Sequence, residues 1–177
     1  MYSKERFPDN FLWGGAIVAN LAAFEAGQPL PNVFTYTFWN TYVTIGGCGN
    51  TIGLIVAIFL FSKREDNKAI AKLSAVPAIF GINEPMIFGM PIVLNPLLAI
   101  PFVLAPMITA AIGYVATATG FAGAAMITVP FTVPPIINAY LITAGSIGAV
   151  ITQIICIIVS ILIYIPFVKL LNRQQEA

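Results

Sequence analysis

The sequence contains no histidine and very little charge. Eight Lys and Arg and seven Asp and Glu are spread over 177 residues, 8% of the chain, where a soluble domain averages about 25%. Without histidine there is no imidazole general base, no phosphohistidine carrier and no histidine-based zinc site. No metal or cofactor is expected. A net charge of +1 supplies no field for an acidic partner, so nucleic acid is not an expected ligand. Cysteine is scarce too. Cys48 and Cys156 lie in apolar runs without CxxC spacing and read as small membrane-buried residues, not as a disulfide or redox pair. What fills the chain instead is apolar: 59% of residues, with a mean hydropathy of +0.92. A globular fold of this size cannot enclose that much apolar surface, which excludes an ordinary cytosolic enzyme and a disordered chain alike. The chain belongs in a bilayer.

A straight helix needs about 20 apolar residues to cross roughly 30 Å of hydrocarbon. Four stretches qualify: residues 11–27 (short, and carrying Glu25), 42–61, 97–119 and 145–168. The expected fold is therefore an all-α polytopic membrane protein with about four transmembrane helices. Its membrane domain covers 11–168, between a cytoplasmic segment over 1–10, too polar for a signal peptide, and a cytoplasmic tail over 169–177. All eight basic residues fall in three groups: Lys4 and Arg6; Lys63, Arg64, Lys68 and Lys72; Lys169 and Arg173. The positive-inside rule puts each group in the cytoplasm, so an even number of crossings separates one from the next. That parity holds only if residues 73–96 enter and return as a re-entrant hairpin. Pro85, Pro91, Pro96, Pro101 and Pro106 make an unbroken helix unexpected there, and Pro130, Pro134 and Pro135 break residues 122–140 likewise. Broken backbone at membrane depth lines protein or a wet cavity, and two broken segments point to a substrate site at their junction. Kinked but ordinary spans are the alternative.

Between residues 73 and 168 the single charged residue is Glu84, within Gly81-Ile-Asn-Glu-Pro85. An intramembrane carboxylate costs at least ~2.5 kcal/mol on insertion scales and calls for a function or a structural excuse. With Asn83 beside it, the pair offers several acceptors and two donors in a small volume, which suits the hydroxyls of a neutral sugar. The lack of intramembrane Lys or Arg disfavours an anionic substrate. Trp39, Phe131 and Tyr140 are candidates to stack on a sugar ring, or else anchors at the membrane interface. For Glu84 the competing reading is a carboxylate satisfied by backbone N–H groups at a helix start. The cluster Gly46-Gly-Cys-Gly-Asn-Thr-Ile-Gly53 admits two readings: a small-xxx-small helix contact at Gly49 and Gly53, or a pore lining in which Asn50 and Thr51 face the sugar path.

The run GINEPMIFGMPIVLNPLLAIPFVLAPMI, residues 81–108, closely resembles the signature of the sugar-transporting enzyme IIC of the bacterial phosphotransferase system, lactose/cellobiose (diacetylchitobiose, lichenan) branch. NLAAFEAGQPLP (20–31), FWNTYVTIGGCGNTIGL (38–54) and VPFTVPPIINAYLITAG (129–145) extend the resemblance over nearly the whole chain. It implies a multi-pass permease of the bacterial inner membrane, in contact with lipid and dimeric in the full-length family. Such a permease imports a β-linked disaccharide such as cellobiose, lichenan oligosaccharides or lactose. A phosphocysteine on the partner enzyme IIB, recharged through enzyme IIA, phosphorylates the sugar. By position, Asn83 and Glu84 match the family's sugar-binding Asn-Glu, and the resemblance implies a general-base role for Glu84. It also implies that this chain corresponds to the C-terminal part of longer relatives, whose upstream Gly-Ile-His-Gly motif has no counterpart here. Where relatives often carry Trp in a PWTTPP stretch, this chain has Phe131. Two other readings stand beside this one. A proton-coupled transporter using Glu84 would lose uptake with the proton gradient, and a non-transporting truncated protein would bind no sugar.

Overall fold

In hydrocarbon every backbone N–H and C=O must find a partner within the protein, which a helix does segment by segment. The computed structural model describes residues 12–28 and 31–174, and among them every regular element is helical. Helix α1 is Leu12–Glu25. A short α2, Tyr36–Phe38, runs directly into a π-helical turn, Trp39–Val43. Then come α3 (Thr51–Phe61), α4 (Glu65–Ile79), α5 (Glu84–Gly89), a 3₁₀ turn (Ile92–Leu94), α6 (Pro96–Ala118), α7 (Ile137–Ile142) and α8 (Ile147–Gln174).

Two of these, α6 and α8, are long and apolar enough to cross a membrane, and they pack against each other. Four such helices were expected, and the shortfall has a local cause. Residues 42–61 do not form one helix, because Gly46, Gly47, Gly49 and Asn50 all take positive φ. What remains, α3, has 11 residues and spans roughly 17 Å. Helix α1 has 14 residues; the expected start of that span, Phe11, and the segment 1–10 lie outside the described residues.

Residues 65–89 form a helical hairpin that overlaps the stretch 73–96. Helix α4 ends in a turn at Phe80 and Gly81, and α5 returns alongside it, so that Gly89 lies against the Ile70 side chain. Three of the prolines punctuate as expected. Pro85 sits in the first turn of α5, Pro91 precedes the 3₁₀ turn, and Pro96 opens α6, where Asn95 Oδ1 accepts the Leu97 N–H at 3.1 Å. Pro101 and Pro106 do not: α6 runs unbroken through both. Each removes one backbone hydrogen bond. The helix survives because α8 supports it along its length.

Helix α3 meets α8 at small residues. A side chain at Gly53 would overlap Ser160, whose hydroxyl donates to the Asn50 carbonyl at 3.2 Å, and Tyr164 donates its hydroxyl to the Gly49 carbonyl. Gly49 and Gly53 are therefore packing positions. At the far end of α8, Asn172 Nδ2 donates to the Phe61 carbonyl (2.8 Å), and Asn172 Oδ1 accepts the Lys63 N–H (3.2 Å). The Lys169 ammonium lies 4.8 Å from the centre of the Phe61 ring. Two of the three basic groups thus share one end of the molecule. Helix α8 continues past residue 169 through Gln174, with 175–177 outside the described residues.

Candidate binding site

A cavity of about 330 Å³ lies where the α2–π turn, the glycine turn, the α4–α5 connection and the Phe131 loop converge. Each wall has a local reason. Asn83 is buried, 5% exposed, and donates Nδ2 to the Cys48 carbonyl at 2.8 Å. That bond needs the glycine turn to come very close: Gly47 has φ +99°, and a Cβ on it would overlap the Asn83 amide. Gly81 does the same on the other side. Its φ is +78°, and a Cβ there would lie 3.1 Å from the Phe131 carbonyl oxygen. Two glycines thus let segments far apart in sequence close on the Asn83-Glu84 turn.

Glu84 is the first residue of α5, and its exposed side chain is part of the cavity wall. Among the described residues its carboxylate accepts no backbone N–H and forms no ion pair, so the helix-start reading finds no support in its contacts. No Lys or Arg lines the cavity. A carboxylate free to accept hydrogen bonds, a fixed amide and the flanking rings of Trp39 and Phe131 can bind a neutral polyhydroxylated molecule. Among the described residues no group of three His, Cys, Asp or Glu converges as a metal would require.

Phe131 sits in an irregular stretch, residues 120–136, that is tied down by its backbone. Met126 and Ile127 donate their N–H groups to the Ile142 carbonyl, at 2.9 and 3.1 Å. The Ile136 N–H donates to Gln153 Oε1, while Gln153 Nε2 donates to the Thr41 carbonyl at 2.8 Å. Thr41 Oγ1 in turn donates to Asn138 Oδ1 at 3.0 Å. Gln153, 1% exposed on α8, therefore joins the Phe131 loop to the π turn bearing Trp39. The loop needs this tie because Ile136, a β-branched residue, is held at φ +75°, a conformation that costs about 1–3 kcal/mol.

Of the residues singled out in the sequence, Asn83, Glu84, Phe131 and Trp39 meet at this cavity. Asn50 and Thr51 do not. Both are buried beneath the glycine turn: Asn50 Oδ1 accepts the Ile45 N–H (2.9 Å), Asn50 Nδ2 donates to Thr109 Oγ1 (2.8 Å), and Thr51 donates to the Gly46 carbonyl. With their polar atoms engaged internally, they build the turn instead of facing a path. Tyr140 packs near Gly145, away from the cavity. Cys48 is not buried as expected but exposed in the cavity wall, because the glycine turn lifts it there; Cys156 is buried, and both are free thiols. Tyr36, Asn40 and Thr44 line the cavity and were missed. Their spacing of four residues was the available signal, since it sets them on one helical face. Asn40 Nδ2 has no hydrogen-bond partner among the described residues.

Residues 7–106 match the profile of a family described as "Phosphotransferase system, EIIC". The chain is 45% identical over 165 residues to the lichenan permease IIC component of Bacillus subtilis, covering 93% of this chain and 36% of that one. It is 41% identical over 145 residues to the cellobiose-specific EIIC component of Lactococcus lactis, covering 82% and 29%. Among solved structures it superimposes with a TM-score of 0.88 on the transporter ChbC, the IIC component of an N,N'-diacetylchitobiose-specific phosphotransferase system. Identity there is 37%, with 92% of this chain and 38% of that one covered. This chain thus spans little more than a third of the length of such relatives.

Proposed function

The chain belongs to the phosphotransferase system EIIC family, and from that membership we propose that it forms the sugar-binding part of a permease for a neutral β-linked disaccharide. The observation that carries this reading is the convergence of Asn83, Glu84, Trp39 and Phe131 on one cavity of about 330 Å³, within the size range of small-molecule sites. Relatives named for lichenan, cellobiose and diacetylchitobiose favour β-linked glucose or N-acetylglucosamine units. Asn83, its Nδ2 engaged by Cys48, offers its carbonyl oxygen to a hydroxyl, and the aromatic rings flank the sugar's apolar faces.

In this reading a sugar hydroxyl facing Glu84 attacks the phosphorus of the phosphocysteine on enzyme IIB. The new O–P bond forms as the S–P bond breaks, the cysteine leaves as thiolate, and the hydroxyl proton passes to the Glu84 carboxylate. Enzyme IIA recharges enzyme IIB. The protein spans the bacterial inner membrane, surrounded by lipid and paired with a second copy, and the hairpin over 73–96 is re-entrant from the cytoplasmic side.

Cys48 supplies a direct test, because it is exposed in the cavity wall while Cys156 is buried. N-ethylmaleimide is expected to modify Cys48 alone, and cellobiose to slow that modification at least about fivefold at saturation, where sucrose (an α-linked control) does not. Equal rates with and without every β-disaccharide tried would overturn the sugar assignment. For the topology, cysteines placed at Lys68 and Arg173 in a Cys48→Ser background are both expected to react with an impermeant maleimide from the cytoplasmic face alone. Labelling from opposite faces would remove the re-entrant hairpin.

A further inference from the structure

Five of the eight basic residues, Lys63, Arg64, Lys68, Lys169 and Arg173, meet at one corner of the molecule, where the α3–α4 connection abuts the end of α8. Asn172 builds that corner. Its side chain accepts the Lys63 N–H at 3.2 Å and donates to the Phe61 carbonyl at 2.8 Å, joining positions 109 and 111 residues apart. Lys169 holds its ammonium 4.8 Å from the centre of the Phe61 ring, and Arg173 follows one turn later on α8. Two of the five charges are already answered: Arg64 pairs with Asp66 and Lys68 with Glu65, each at 3.0 Å. Lys169 and Arg173 face no carboxylate among the described residues. Depth and neighbours narrow what answers them. Residues 147–168 of α8 carry no charge and, at about 1.5 Å each, span roughly 33 Å, close to the hydrocarbon thickness, so Lys169 falls at headgroup level. Leu162, Pro166, Lys169 and Arg173 share one face of α8 by helical spacing, and all four are exposed. An apolar stripe thus runs straight into two uncompensated cations.

We propose that this corner binds an anionic phospholipid of the phosphatidylglycerol type, its phosphate held by Lys169 and Arg173 and an acyl chain lying along Pro166 and Leu162. The phosphodiester supplies the negative charge the corner lacks, and the chain covers the stripe below it. A soluble acidic partner is the competing occupant. It answers the cations but leaves Leu162, 60% exposed, and Pro166 uncovered, whereas a phospholipid engages both halves of the face. Because Asn172 ties the end of α8 to the α3–α4 corner, a ligand held there fastens both segments and stabilises the fold by mass action. The proposal is independent of the sugar reading, since none of these residues lines the cavity at Asn83 and Glu84.

The test uses the purified 177-residue chain in dodecyl maltoside, with thermal unfolding followed by circular dichroism as lipid is titrated in. Dioleoyl-phosphatidylglycerol is expected to give half its stabilising effect at a concentration at least about tenfold below that of dioleoyl-phosphatidylcholine, and added salt to shrink the difference. The double variant Lys169→Gln with Arg173→Gln is expected to erase the preference. Arg173→Gln alone, at the exposed end of the helix, serves as the second variant and is expected to weaken it at least about threefold. Arg64→Gln, which removes a charge already paired with Asp66, is expected to leave it within about twofold. Two soluble probes separate the sources of negative charge. Glycerol 3-phosphate is expected to stabilise weakly, because it has no chain for the stripe, and poly-L-glutamate likewise. Equal effects of the two lipids overturn the proposal, as does a preference that survives in both Lys169 and Arg173 variants or falls equally in Arg64→Gln. Glycerol 3-phosphate acting as well as the lipid would leave an anion site only, and poly-L-glutamate doing so would assign the corner to an acidic protein; either result overturns the lipid assignment.

Discussion

Glu84→Gln is expected to weaken disaccharide binding at least tenfold, roughly 1.4 kcal/mol, the lower end of what a hydrogen bond to a charged group contributes. The substitution keeps the side chain's size and replaces one carboxylate oxygen by a donor, so a sugar hydroxyl that donated to the carboxylate now meets an N–H. Because the Glu84 side chain is exposed and makes no hydrogen bond or ion pair among the described residues, its removal disturbs no internal partner. A loss of affinity would therefore report on the ligand and not on the fold, and thermal stability is expected to stay within about 0.5 kcal/mol of the parent. Titration calorimetry with cellobiose measures the first quantity and thermal unfolding in detergent the second. Unchanged affinity would take Glu84 out of the site, and with it the general-base role.

Gln153→Leu should have the opposite profile, a large effect on the fold that reaches the site through it. The buried amide is shared between the Ile136 N–H and the Thr41 carbonyl. A leucine of similar bulk leaves both backbone groups unpaired inside the protein, at about 1–3 kcal/mol each. The expected loss is about 2–5 kcal/mol, or roughly 5–15 °C in melting temperature for a chain of this size. Ile136 is the point of release, since its left-handed backbone has no other hydrogen bond on its N–H to hold it there. With that tie gone, Phe131 is no longer fixed relative to Trp39, and cellobiose affinity is expected to fall about tenfold although Gln153 itself does not line the cavity. A melting temperature within 2 °C of the parent (about 0.5–1 kcal/mol) would show that the loop is held by something other than this amide.

The sequence made some of this site readable and hid the rest, for separable reasons. Asn83 and Glu84 stood out because charge is so rare between residues 73 and 168 that one carboxylate is conspicuous. The family resemblance, carried by the run over 81–108, is borne out by the match over 7–106 and by the superposition on ChbC. Asn50 and Thr51 were misleading because polar residues in a glycine-rich membrane segment serve either a path or a turn. Which of the two holds depends on Thr109, 59 positions from Asn50. Cys48 misled for the same reason: an apolar neighbourhood in sequence says nothing about which way a glycine turn lifts a side chain. The helix expected over 97–119 does form, as α6, but that it would run unbroken through Pro101 and Pro106 was not legible, since the support from α8 is a tertiary quantity.

Composition alone therefore determined that this chain is suited to a bilayer and helical, because those follow from the cost of apolar surface in water and of unpaired backbone in hydrocarbon. Local residue chemistry set the turn between α4 and α5, since proline and glycine act through the backbone on which they sit. Only the tertiary structure decided which side chains share a cavity. Phe131, Glu84 and Trp39 line one cavity through close approaches at Gly47 and Gly81 and through the Gln153 bridge. Contacts of that kind join residues whose sequence separation carries no periodic signal, so they exist for a reader only once the chain has folded.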